Sequence, residues 1–167
     1  VILAGDFMDF FACSRWEKDP RKRNFKHEIE TARDMLAELR RLFPKKQIIW
    51  KLGNHEERWE KFLALKAPEL LGIDDFELEN ICRCKDHNIR MMTHRAPIVI
   101  GNKLHIIHGH EFGKTMTNPV NPSRGLFLKG ISNSMCGHYH QTSSHTAKAI
   151  TQKTISCWSS GCLCDMH

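Results

Sequence analysis

No apolar run in the 167-residue chain approaches the roughly 20 residues a helix needs to cross a bilayer. No basic leader with an apolar core precedes the first strand-like segment, so nothing reads as a secretory signal. Internal repeats and low-complexity segments are absent. Cysteines number seven, and an odd count excludes a fully paired disulfide framework. There is also no initiator methionine. The chain opens on VILAGD, inside what reads as a strand, and the expectation is that it starts partway into a longer protein.

What is present fits a globular domain. The hydrophobic fraction is 41% and the charged fraction 26%, which excludes disordered and fibrous classes. The length suffices for a single domain over residues 1–167 with a substantial core. A net charge of +6 leaves room for an anionic partner. The cysteines read as reduced thiols in a cytoplasmic compartment. Two pairs, Cys82/Cys84 and Cys162/Cys164, have Cys-x-Cys spacing. They are either buried thiols acting as small apolar side chains or the ligands of a zinc knot, which would make a zinc-stabilised nucleic-acid module.

The elements follow from periodicity. Val1–Ala4 reads as a buried strand entering a loop at Gly5-Asp6. Cys13–Lys26 is polar, basic and broken by Pro20, hence a loop. Ile29, Ala32, Leu36, Leu39 and Phe43 form one face of a helix over Phe25–Phe43, stopped by Pro44. Gln47–Leu52 is the next strand, and a turn at GNHE leads into a second helix. Asp74–Asp86 is expected to be a third helix. IRMMTH reads as a strand, and APIVIGNKLHIIHGH as a hairpin around Gly101-Asn102. A short helix is expected within Thr117–Gly130, a brief strand before GHYH, and one or two strands in TAKAITQKTISCWSSGCL. Strands alternate with helices early and become hairpin-like later, which predicts a layered α/β fold with antiparallel parts.

Four polar loops each follow an apolar strand-like run: Gly5-Asp6-Phe7-Met8-Asp9, Gly53-Asn54-His55-Glu56, His108-Gly109-His110 and Gly137-His138-Tyr139-His140. Ligands gather at the carboxyl ends of strands in α/β folds. Mixed oxygen and imidazole donors suit Mn, Fe, Zn or Ni better than Ca or Mg.

In this order, GDFMD, GNHE, the His of HIIHGH and GHYH resemble the calcineurin-like metallophosphoesterase superfamily, over Gly5 to His140. The resemblance implies a four-layer α/β/β/α sandwich with mixed sheets, two divalent metal ions, and hydrolysis of phosphate esters by a hydroxide activated between them. It implies Asp6 as the carboxylate bridging both metals. Asn54, His108 and His138 would be the other ligands of the second metal, and His140 a ligand of the first. His55 would be the catalytic imidazole, oriented by Asp9. His110 matches no ligand position and falls to a supporting or substrate-side place.

One departure stands out. The D-x-H motif that would give the first metal two more ligands belongs upstream of Gly5, where only four residues stand. The second metal site is therefore expected to be the better occupied. The absence also keeps open a non-catalytic scaffold of the same fold. The tail CWSSGCLCD resembles phage and mobile-element members of the superfamily, in which the chain continues further.

Other residues have plainer readings. Glu56 suits the first turn of a helix, where negative charge meets the dipole. Trp59, Phe62 and Leu63 are core. His27, His87, His94, His105 and His145 are ordinary surface or half-buried histidines. Arg15, Lys18, Arg21, Lys22, Arg23 and Lys26 form either a solvated loop or a lid gripping phosphate or nucleic acid, with Trp16 placed to stack on a base. The substrate expectation is accordingly a phosphodiester or nucleic acid.

Overall fold

The computed structural model describes residues 1–16, 19, 21, 24–93, 95–115 and 120–164. They form a mixed α/β protein with two sheets, in two compact units, Val1–Met92 and Thr93–His167.

The first unit holds a three-stranded parallel sheet in the order β1 (Ile2–Leu3), β2 (Ile48–Lys51), β3 (Ile89–Met92). The connection from β1 to β2 carries α1 (Phe25–Leu42), and that from β2 to β3 carries α2 (Glu57–Lys66) and a four-residue α3 (Leu78–Ile81). α1 starts where Asn24 accepts a hydrogen bond from the His27 amide, a side-chain cap. Its apolar stripe buries Ala32 and Leu36, and Phe43 lies just beyond its end as the C-cap. Arg40 ties that end down. Its guanidinium donates to the carbonyls of His87 (2.7 Å), Lys46 (2.9 Å), Asn88 (2.9 Å) and Phe43 (3.0 Å). Trp50, Ile48, Leu36, Phe10 and Met8 make the centre of this unit's core. Trp59 and Leu63 join it from α2, with Phe62 packed alongside. The Trp59 indole donates to the Phe76 carbonyl at 2.7 Å.

The expected helix over Asp74–Asp86 is not continuous. It breaks into a 3-10 turn at Asp74–Phe76, the short α3, and a second 3-10 turn at Lys85–His87. Glu77 is extended and Arg83 is left-handed (φ 55°), and both interrupt the helix. The Asn80 side chain donates to the Asp74 carbonyl, the kind of local bond that competes with a helix ladder.

The second unit holds a five-stranded mixed sheet in the order β4 (Ile98–Ile100), β5 (Leu104–Ile106), β6 (Ser134–Cys136), β8 (Thr154–Ser159), β7 (Ser143–Lys148). β4 and β5 form the hairpin expected at Gly101-Asn102, and both turn residues have positive φ. β5, β6 and β8 run parallel, and β7 returns antiparallel to β8. α4 (Pro122–Gly130) is capped by Asn121, which accepts from the Arg124 amide. Its Leu126 packs with Cys136, Ile155 and Cys157 in this unit's core.

Candidate metal-binding loops

Parallel pairing decides which loops can meet, because neighbouring parallel strands release their chains on the same edge. In the first unit that edge joins the loop after β1 to the loop after β2. The His55 amide donates to Asp6 Oδ1 at 3.0 Å. The His55 ring lies between two carboxylates, with Nδ1 3.2 Å from Asp9 Oδ1 and Nε2 3.7 Å from Asp6 Oδ2. Arg58, in the first turn of α2, donates to Asp9 Oδ1 at 2.9 Å and to the Asp9 carbonyl at 2.6 Å. Asp6 itself has φ 52°, a left-handed conformation that ordinary residues seldom adopt. Asn54 sits in the same loop after β2.

The element that sets this geometry is Glu56. It is the N-cap residue of α2, not a first-turn residue, and its carboxylate reaches back instead of capping the helix. Oε1 accepts from the amides of Phe7 (2.7 Å) and Met8 (3.2 Å). Oε2 accepts from Gly53 (2.7 Å) and Asp6 (3.0 Å). Reading Glu56 as a dipole partner is thus corrected: it is a fully enclosed clamp on both loops. Burial and the neighbouring Asp6 charge push its carboxyl above the ordinary range, and the amide donors oppose that rise. Nothing in the sequence alone marks which amides a glutamate will meet. The only signal is its place directly after Gly-Asn-His.

In the second unit β5 and β6 are the parallel neighbours. His108 Nε2 and His138 Nδ1 stand 3.1 Å apart, and the His108 ring is almost wholly buried. Two ring nitrogens on one ion with bonds of about 2.0–2.1 Å lie roughly 3.3 Å apart, so this pair fits a shared divalent cation. His110 is near: its ring centroid is 5.2 Å from that of His108 and 6.1 Å from that of His138. A second carboxylate clamp appears here. Glu111 accepts from the His108 amide at 3.1 Å and the Gly109 amide at 2.6 Å. Gly109, at φ 127°, is required by close approach, since a Cβ there would come within 2.9 Å of the His138 Cβ.

The two histidines of GHYH go separate ways. His138 meets His108. His140 (φ 55°) stands with Cys162 and Cys164, whose sulfurs and the His140 ring nitrogen all lie within 4.8 Å of one another.

Cys82 and Cys84 are buried in the first unit's core, and burial pushes both thiols up to about 12. Cys136 is likewise raised to about 11. These behave as small apolar groups. Cys164 is exposed, which the general reading of buried thiols did not anticipate.

In the basic stretch, Lys18, Lys22 and Arg23 lie outside the described residues, as does His94. Arg21 pairs with Asp19 and Lys26 with Glu30, both at the surface. Trp16 is exposed, with the Arg15 guanidinium 4.8 Å from its ring centroid. Compared with known proteins, the chain matches no family model, no curated protein and no solved structure.

Proposed function

We propose that the protein is a metal-dependent phosphoesterase of the calcineurin-like type, acting on a phosphodiester or nucleic-acid substrate. The observation that carries this reading is the His55 ring, set between the Asp6 and Asp9 carboxylates at the ends of two parallel strands. The His108–His138 pair supports it from the second unit.

The reading carries with it the four-layer α/β/β/α arrangement of that superfamily. On this reading Asp6, Asn54, His108 and His138 would be metal ligands, while His140 stands instead with Cys162 and Cys164. Bound divalent ions supply charge neutralisation of the phosphate and acidification of water. The chain's own residues then have defined work. Asp9 accepts from His55 Nδ1 and so fixes which ring nitrogen faces the substrate. Arg58 holds Asp9 in place through a charge-assisted hydrogen bond. His55 Nε2 gives a proton to the departing oxygen, help worth roughly 10²- to 10⁴-fold. The Glu56 clamp keeps the loops from shifting as the substrate binds. The exposed Trp16 and Arg15 offer a stacking surface to a nucleic-acid substrate.

The test is hydrolysis of bis-nitrophenyl phosphate, nitrophenyl phosphate, single-stranded DNA and RNA, each with Mn, Ni, Zn and Mg. Metal-dependent release from the diester substrates is expected to exceed release from the monoester. No hydrolysis of any substrate with any of these metals overturns the proposal.

A further inference from the structure

A second cluster of metal-ligating side chains lies wholly within the second unit. We infer that His140, Cys162 and Cys164 form a thiolate–imidazole site for a single zinc ion. The inference goes beyond the phosphoesterase reading and uses no residue of the first unit.

Strand pairing brings these residues together. β6 and β8 are parallel neighbours with Cys136 opposite Ser159, so the turn after β6 and the segment after β8 leave the sheet side by side. Main-chain contacts continue past the strands. The Ser160 amide donates to the Cys136 carbonyl at 2.8 Å, and the Ser160 hydroxyl to the same carbonyl at 3.3 Å. Gly161 runs so close to Thr142 that a Cβ would lie 3.1 Å from its hydroxyl oxygen. Cys162 and Cys164 then follow with one residue between them, and Leu163 between them is fully solvent-exposed. On the opposite side, the His140 amide bonds to the Gly137 carbonyl in a tight turn, and its left-handed backbone presents the ring to the sulfurs.

The spacing suits a metal. Cys164 Sγ is 3.9 Å from His140 Nδ1, and the three donor atoms lie within 4.8 Å of one another. Zinc bonds of about 2.3 Å to sulfur and 2.0–2.1 Å to nitrogen put tetrahedral neighbours roughly 3.6 Å apart. An ion would need to draw the donors together by about an ångström or less. Two thiolates and an imidazole are a soft to borderline donor set, which favours zinc over magnesium, calcium or manganese. Three protein donors with exposure to solvent leave a fourth position for water or a small ligand.

Cobalt(II) substitution tests this on the full chain, kept reduced and stripped of metal. The unmodified protein is expected to bind cobalt with the near-ultraviolet thiolate-to-metal charge-transfer band. That band is expected to weaken in Cys162→Ser and in Cys164→Ser and to vanish in the double variant. His140→Ala is expected to keep the band and to weaken cobalt affinity by at least the roughly 10- to 100-fold that loss of a residue merely supporting a metal ligand costs. Asp6→Ala is expected to leave the band unchanged. Failure of the phosphoesterase reading shows as absent hydrolysis with this band intact. The inference is overturned if the unmodified protein shows no thiolate band or if the band survives the double variant. An unchanged cobalt affinity in His140→Ala, or loss of the band in Asp6→Ala, also overturns it.

Discussion

The Asp9 carboxylate joins two cationic or potentially cationic side chains through a single oxygen: Oδ1 is 3.2 Å from His55 Nδ1 and 2.9 Å from Arg58 Nη1. A carboxylate held by arginine cannot easily swing away from the imidazole it orients. His55→Ala is therefore expected to lower turnover roughly 10²- to 10⁴-fold while metal content per chain stays near normal. Asp9→Asn is expected to fall between that variant and the unmodified protein. Turnover and metal analysis on the same preparations check both. Full activity in His55→Ala removes the ring from the proposed chemistry.

Glu56 gathers four main-chain amides from two loops. Removing it leaves those donors without the carboxylate, and one orphaned buried donor costs about 1–3 kcal/mol. Glu56→Ala is expected to lose more than about 3 kcal/mol of unfolding free energy, measured by urea denaturation. A loss under about 1 kcal/mol would show that water replaces the clamp.

Gly109 has no room for a side chain. A methyl group there would lie within 3.3 Å of the His138 and Cys136 Cβ atoms and of the Tyr139 ring. Its positive φ adds strain for any L-residue. Gly109→Ala is expected to displace His138 from His108 and so weaken divalent-metal affinity more than it lowers thermal stability. Isothermal titration with Mn and Zn beside a melting curve separates the two effects.

Alkaline pH is expected to destabilise the first unit through its buried thiols. Cys82 and Cys84 rise from 9.0 to about 12, mainly through burial. The folded chain thus keeps protons that the unfolded chain surrenders. Stability is fully present below about pH 9 and declines as pH climbs toward 12. Unfolding measured between about pH 8 and 10.5 should show this downward slope, flattened in Cys82→Ala. At neutral pH both thiols are expected to resist thiol reagents in the metal-free native protein, while the exposed Cys164 reacts. Rapid native-state labelling of Cys82 contradicts the assignment.

Local signals carried a good part of this fold. The three-and-four spacing of Ile29, Ala32 and Leu36 marks α1, and Gly101-Asn102 marks a hairpin because both positions take positive φ. The candidate loops were legible for a similar reason, since each is a short polar run closing an apolar strand. What could not be read is long-range or conformationally subtle. Glu56 meets amides 48 to 50 residues away, and no pattern in the chain announces it. Between Asp74 and Asp86 the apolar spacing permits a helix, but Glu77 turns extended and Arg83 left-handed, and they break it. His138 and His140 look equivalent in sequence. Only the pairing of β6 with both β5 and β8 sends one ring to His108 and the other to the sulfurs.

Both histidine- and aspartate-bearing loops are gripped through their main chain, by Glu56 in one unit and Glu111 in the other. Peptide amides are common to every residue type except proline. The grip that positions Asp6 and His108 therefore acts on the backbone, so the mount is defined separately from the side chains it carries.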